Sequence, residues 1–333
     1  MRRVKHVLLP AGIVMLSWTV FLSVVFAALP ITLLGTTTSS GQFPYVVAIA
    51  RVLSTYCPDC SVIVAESGGG VDATQQIRSG EARIGNSIAY TDSQSYFGRG
   101  VLFKDKPFRD IRILWYYQRA LIQIVVAQDS GIKTLQDLDG RPFSAGGTGT
   151  TASSIIHELF DILDIHPQYY ESGQIEATDA YIKKEVDGVV KIGPAPDNYI
   201  KYLNDSRPVR FLSISREDMD KILRGIPGAR ISFLPINAYK NVDYEVRCLA
   251  TYHGLQTDMS FSQEEGYRFF KAMWEDGKEI WQQAYPIGKD NDIPKLTLDA
   301  ALTPLHAGTV QYLEVHDYYV PEELIPEEYV PVR

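Results

Sequence analysis

The chain has 333 residues, 45% hydrophobic and 22% charged, with a formal net charge of −8 at pH 7. That composition excludes intrinsic disorder, and a chain of about 300 residues buries roughly three-quarters of its unfolded surface, enough for two domains without disulfide staples. The acidic balance argues against nucleic acid as a partner, which needs a basic face; it leaves a small anionic ligand open, because local charges decide that.

Arg2, Arg3 and Lys5 precede an apolar stretch over residues 7–29, broken by Pro10 and Ser17 without added charge. A positive region followed by an apolar one is an export signal, and Val25-Phe26-Ala27 offers a cleavage site near Ala27. The stretch is also long enough to span a bilayer. Residues 1–29 are therefore either a cleaved signal peptide or an uncleaved membrane anchor, and both place the rest in the periplasm. No lipobox cysteine stands near residue 28.

The apolar run at residues 31–34 reads as a strand, ending in Gly35-Thr36-Thr37-Thr38-Ser39-Ser40-Gly41. After Pro44, the spacing of Val46, Ile49, Ala50 and Leu53 predicts a helix. Cys57 and Cys60 can close a small disulfide outside the cytoplasm; they follow a helix and precede a strand, the reverse of a thioredoxin-like site. No Cys or His pair stands at zinc-ligand spacing beside them. A strand over 61–65 runs into Glu66-Ser67-Gly68-Gly69-Gly70, a helix follows over 71–78, and a third strand covers 82–87. Three strand–loop–helix steps predict a largely parallel sheet with crossover helices.

Residues 121–127 form a strong strand, and the pattern then restarts. A strand over 142–145 leads to Gly146-Gly147-Thr148-Gly149-Thr150, and Ile155, Ile156, Leu159, Phe160 and Leu163 mark a helix. Further strands begin at Tyr169 and cover 186–192, the latter ending at Gly193-Pro194-Ala195-Pro196. Ser215 with Asp218, and Ser262 with Glu265, have capping-box spacing; the second opens a long helix to about residue 284. The last eighteen residues read as a surface-wrapping tail. Two α/β units with chain crossings near 127 and 235 predict a two-lobed body with a cleft: residues 30–127 with 236–315 as lobe 1, 128–235 as lobe 2, and 316–333 as the tail. Ligands of open α/β sheets sit beyond the carboxyl ends of strands, where both glycine loops fall.

In residues 35–41, backbone N–H groups meet a helix N-terminus, which favours an anionic group, and Thr36, Thr38, Ser39 and Ser40 add hydroxyls. No Gly-Lys-Ser/Thr follows, so it is not a Walker loop; it reads equally as a tight turn capped by Ser40. The second loop, Gly147-Thr148-Gly149-Thr150-Thr151-Ala152, fits G-x-G-x-x-A, with Glu171 about twenty residues on. That is the template of an NAD(P)-dependent oxidoreductase; export and the mid-chain position count against it. No G-x-S-x-G or H-E-x-x-H occurs, and the six histidines read as surface or core residues, so neither catalysis nor a metal or cofactor is expected. Lys191 lies in an apolar strand and needs a partner: either it snorkels from an edge, or it points into the cleft towards a ligand carboxylate. Arg119 raises a weaker version of that question. Phe43 and Tyr239 are candidate walls for a ligand.

These residues resemble the TAXI subgroup of TRAP-transporter solute-binding proteins. The family's G-T-x-x-x-x-G followed by an aromatic and a proline is matched by Gly35-Thr36, Gly41, Phe43, Pro44 and Tyr45. Its glycine segment and L-x-x-G-E-A-D-L-G stretch correspond to Glu66-Ser67-Gly68-Gly69 and to Ile77-Arg78-Ser79-Gly80-Glu81-Ala82-Arg83-Ile84-Gly85. Asp129-Ser130-Gly131-Ile132 with Asp137-Leu138, then Gly147-Thr148-Gly149-Thr150, Pro194-Ala195-Pro196 and Pro304-Leu305-His306-Ala307-Gly308 continue the pattern over residues 31–317. The chain departs from it at Asn86-Ser87-Ile88-Ala89-Tyr90, at the Thr/Ser-rich first loop and at Lys191. The resemblance implies a type II periplasmic-binding-protein fold, α/β, each lobe a mixed, mostly parallel sheet flanked by helices, closing by hinge motion on a small organic anion, a carboxylate or amino-acid-like solute. It also implies delivery to the membrane permease of a TRAP transporter. The expected ligand set is Gly35, Thr36, Thr38, Ser39, Ser40, Phe43, Ser67, Gly68, Asn86, Ser87, Gly147, Thr148, Gly149, Thr150, Lys191 and Tyr239. A ligand sensor tethered through residues 7–29 is the third reading.

Overall fold

The computed structural model describes residues 31–332 except Ser39, Pro58 and Thr148. The export segment therefore lies outside the described residues, as do the candidate ligand residues Ser39 and Thr148. The first α/β half consists of β1 (Ile31–Leu34), α1 (Phe43–Tyr56), β2 (Val62–Ala65), α2 (Gly70–Arg78), β3 (Ile84–Ile88), α3 (Ala89–Phe97) and α4 (Gly100–Phe103). These are the three strand–loop–helix steps of the sequence. Pro44 sits in the first turn of α1, where its missing N–H costs nothing, and Tyr45, Val46, Ile49, Val52 and Leu53 form the buried face. Cys57 and Cys60 are disulfide-bonded just after α1.

The next strand, β4 (Ile111–Ala127), is 17 residues long, and only its second half shows in the sequence pattern. Every position but Arg119 is buried, so the first half lacks the alternation that marks a one-sided strand. The second half follows with β5 (Pro142–Ser144), α5 (Thr151–Leu163), β6 (Gln168–Tyr169), α6 (Gln174–Ile182), β7 (Gly188–Gly193), α7 (Asn198–Ser206), β8 (Val209–Phe211), α8 (Arg216–Gly225) and β9 (Arg230–Phe233). The chain returns through β10 (Arg247–Asp258) to α9 (Gln263–Lys271), α10 (Lys278–Ala284), α11 (Ile293–Ala300) and α12 (Ala307–Val315). The Ser262–Glu265 capping box is formed. The helix it opens does not run unbroken to residue 284: a π-helical turn, Ala272–Asp276, and Gly277 interrupt it. A Cβ at Gly277 would lie 2.5 Å from Val52 Cγ1, so the break lets the chain approach α1 closely.

Among the described residues the strands form one mixed sheet in the order β2-β1-β3-β10-β4-β7-β5-β6, with β8 on β4 and β9 on β10. Pairing is parallel within β2-β1-β3 and within β7-β5-β6, and antiparallel wherever β4 or β10 takes part. This is a two-lobed α/β body with two long strands shared by the lobes. β3 ends beside His253 of β10, and β7 ends beside Leu121 of β4, which itself pairs with Ala250 of β10. The carboxyl ends of the two parallel sets thus point at each other over the middle of the shared strands.

Chain crossings near 127 and 235 are not where the pairing changes. Along β10 the partner switches from β9 to β3 between Ala250 and His253, and β7 joins β4 from Leu121 onwards. Tyr239, Val242, Val246 and Cys248 share a core with Leu121, Val125, Val189 and Phe211 of the second half. Both strands are buried on either side of the switch, where Arg119 is exposed and its partner Tyr252 half-buried, so no long change of pattern marks it in the sequence. A separate core gathers Tyr45, Trp115, Tyr117, Phe269, Phe270, Trp281 and Tyr312. Residues beyond α12 lie against this body: Arg112 pairs with Glu328 at 2.6 Å, and Leu305 N–H donates to the Leu324 carbonyl.

Candidate functional site

The loop between β1 and α1 is internally bonded. Gly35, Ser40 and Phe43 N–H groups donate to backbone carbonyls, Thr38 N–H donates to Glu66 Oε1 at 2.5 Å, and Gln42 N–H to Ser40 Oγ at 3.3 Å. The helix N-cap is Gln42, not Ser40. Ser67 Oγ donates to the Gly35 carbonyl, so the second glycine segment holds the first, and Gly68 N–H is taken by Asp72 at 2.8 Å. Thr36 Oγ1 is buried without a partner among the described residues, and Phe43 is half-buried against Gly35.

Within β3, Asn86 is fully buried and neither amide atom has a partner among the described residues. Ser87 Oγ instead donates to Asp92 Oδ2 at 2.5 Å, as does Tyr116 OH at 2.7 Å. Burial pushes the Asp92 carboxyl up from 3.8 to about 7, against these hydrogen bonds, which favour the charged form. A carboxyl whose folded pKa is raised stabilises the protein below its unfolded value, and that contribution disappears as pH rises through about 7. The Asp92 contribution alone is thus expected to fall by up to about 4 kcal/mol from pH 4 to pH 8, and Asp92→Asn should remove that component from the profile. Chemical denaturation at both pH values checks this; parallel profiles for the two proteins would refute it.

In the second loop, Thr150 is the N-cap of α5. Its hydroxyl accepts from Ser153 N–H at 3.2 Å and donates to the Gly147 carbonyl at 2.7 Å. Gly146 and Gly149 have φ of 95° and 76°, conformations open to glycine. The strand–loop–helix context of the G-x-G-x-x-A motif is present, and Glu171 lies 3.8 Å from His157 Nε2.

Lys191 is half-buried on β7, which lies between β4 and β5 and is not an edge. Its ammonium donates to Gln174 Oε1 at 3.3 Å and lies 5.6 Å from the Tyr199 ring; among the described residues it has no carboxylate partner. Tyr239 is buried, with its hydroxyl donating to Gln123 Oε1 at 2.5 Å and accepting from Asp197 N–H at 2.7 Å. It braces the turn that carries the cis Ala195–Pro196 bond. Arg119, on the shared strand, is exposed.

Sequence reasoning missed a second set of residues. His253 of β10 is fully buried, and its Nε2 lies 2.7 Å from Gln42 Nε2. Burial, helped by the positive charge of Lys191, pulls the imidazole down from 6.5 to about 3 and keeps it neutral. Asp197 likewise acts on the buried Tyr285 hydroxyl from the other half. A histidine inside an apolar strand looks like any core histidine; only the pairing of β10 with β3 brings it to the end of α1. The halves also touch through α3 and α5: Thr91 and Thr151 hydroxyls are 2.7 Å apart, and Glu158 accepts from Tyr90 OH and from Gln94 Nε2. A cavity of ≈ 20 Å³ beneath Tyr90, Ile155, Leu249 and Tyr252 has room for about one water and is no solute site.

Residues 34–314 match the model of the NMT1-like family. Among solved structures, the chain is similar to a TctC solute-binding protein from Polaromonas, at 14% identity and a TM-score of 0.48, over 79% of this chain and 90% of that one. It is also similar to the arginine-, lysine-, histidine-binding protein ArtJ from Geobacillus stearothermophilus, at 12% identity and a TM-score of 0.48, over 77% and 95%. For the aliphatic sulphonate binding protein SsuA from Escherichia coli the identity is 12% and the TM-score 0.44, over 78% of each chain.

Proposed function

The chain belongs to the NMT1-like family, and from that premise we propose that it is an extracytoplasmic solute-binding protein of the TAXI type. In this reading it captures a small organic anion, a carboxylate or amino-acid-like solute, between its lobes and hands it to a TRAP membrane permease. The lobes divide within β4 and β10, near Arg119 and Tyr252, so that a twist of two continuous strands opens and closes the cleft. The observation that carries the reading is Lys191. It is a half-buried ammonium near the carboxyl end of a central strand, without a carboxylate partner among the described residues, and its charge acts on His253, which is bonded to Gln42 just after the opposite glycine loop.

Several findings support the same reading. The two loops of the resemblance lie at the facing ends of the two parallel strand sets, where open α/β sheets take ligands. The N–H groups of Gly35, Thr38 and Ser40 in the first loop are already bonded within the protein, so side chains add to the recognition of charge: Lys191 first, with Thr36 and Asn86 from the other half. Ser67, Gly68, Ser87, Thr150 and Tyr239 brace the surrounding loops and turns through the bonds described above. Export rests on residues 1–29; no helix among the described residues is long and apolar enough to cross a membrane.

The test is a thermal-shift screen of short carboxylates, amino acids and nicotinamide dinucleotides. A ligand at 100 times its Kd stabilises by about 2.7 kcal/mol, a shift of several degrees. Stabilisation by carboxylates alone is the expected result. Stabilisation by dinucleotides alone would move the function to the 147–152 loop.

A further inference from the structure

Among the described residues the first lobe holds several neutral polar atoms that are buried and have no partner; besides hydroxyl or amide oxygens of Thr36, Gln94, Ser95 and Thr303, they are both amide atoms of Asn86, His253 Nδ1, and the hydroxyls of Tyr117 and Tyr285. Native interiors leave few such groups unmatched, so a set of them near one spot calls for a reason. A chain of neighbouring residues links the five atoms. Asn86 pairs with Leu255, and Ile88, two residues on, pairs with His253; Asn86 and His253 therefore lie diagonally across the same face, about 7–8 Å apart. His253 is bonded to Gln42, and one turn along α1 the ring of Tyr45 stacks on Tyr117 at 3.7 Å and meets Tyr285 at 5.6 Å. The Tyr117 and Tyr285 rings are 5.8 Å apart.

Two charges of the second lobe act on members of this group. Lys191 acts on His253, and Asp197 acts on Tyr285. The amide nitrogen of Gln42 is a donor, so the facing His253 Nε2 accepts, and the ring proton sits on the unpartnered Nδ1. An N–H donor and an ammonium from opposite lobes then flank one place, while amide and phenol groups near a carboxylate flank the other.

We infer that the solute is a monoanion with an uncharged hydrogen-bonding end: its carboxylate lies between Lys191 and His253 Nδ1–H, and a hydroxyl or carboxamide end lies against Asn86, Tyr117 and Tyr285. A second carboxylate is disfavoured at that end. It would lose its water without gaining a cation, and it would face the negative charge of Asp197. Asn86 and the phenols both donate and accept, which suits an amide or an alcohol. This inference rests on the anion-capture reading above and narrows its substrate class.

Calorimetric titration of the purified protein with matched acids tests it: malonate, succinate and glutarate against their half-amides, with propanoate and butanoate as plain monoanions. The half-amide of the best-fitting length should bind at least tenfold more tightly than its dicarboxylate and than the plain acid. Tyr285→Phe should cut the half-amide advantage over butanoate about tenfold. If a dicarboxylate binds as tightly as its half-amide, or if plain monoanions bind as tightly, the uncharged end is refuted while anion capture stands. If none of these acids binds, both fall.

Discussion

Replacing Lys191 with methionine is expected to weaken binding of the cognate anion about tenfold to a hundredfold. A charge-assisted hydrogen bond contributes about 1.5–3 kcal/mol, and every 1.4 kcal/mol is tenfold in affinity. Methionine keeps an unbranched, apolar stem beside Tyr199 and removes only the ammonium. Its one hydrogen-bond partner, Gln174, is a neutral amide at 3.3 Å, so the ligand-free variant should match the parent in stability to within about 0.5 kcal/mol. Loss of affinity with unchanged stability is the signature of a ligand contact. Equal affinity of the two proteins would remove Lys191 from the site and, with it, the observation on which capture rests.

The second large effect concerns the shared strands. Gly254→Ala is expected to destabilise the fold by about 2–3 kcal/mol, the cost of forcing an extra methyl into a packed interior. A Cβ at Gly254 would lie 2.3 Å from the Trp115 carbonyl oxygen and 2.6 Å from Tyr116 Cδ1. The first obstacle is backbone of the neighbouring strand and cannot turn aside. Gly254 also flanks a register shift in the β10–β4 ladder, between His253 and Gly254, so a displaced strand would pull His253 with it. Urea denaturation of G254A gives the loss directly. Gly41→Ala is the control, since nothing lies within 4 Å of a Cβ there. Equal losses in the two variants would show that the close approach is not what matters.

Both expectations concern places that the sequence describes unequally. Lys191 is legible because a lysine between Val189, Val190 and Ile192 breaks an apolar run, and a charge in such a run needs a partner. What it faces is not legible, because His253 and Gln42 lie far away in the chain. The same holds for Asn86 and Ser87: they stand side by side in sequence, yet opposite faces of β3 send Ser87 to Asp92 and leave Asn86 unpartnered. The first loop reads as a ring of free N–H donors, whereas folding pairs several of them with Glu66, Ser40 and nearby carbonyls. Local pattern counts donors; it does not count acceptors brought in from elsewhere.

The sequence by itself determined the α/β class, the three opening strand–loop–helix steps, the restart at residue 142 and the Ser262 capping box. Each is written in period, turn chemistry or spacing over a few neighbouring residues. Only the tertiary structure decided that β4 runs 17 residues, that the strand partners change inside β4 and β10, and that residues 239–248 pack with the second half. Strands buried on both faces carry no alternation, so nothing in their composition marks where one core ends and the next begins. Long-range pairing made those choices, and it leaves Lys191 of one half near enough for its charge to act on His253 in the other.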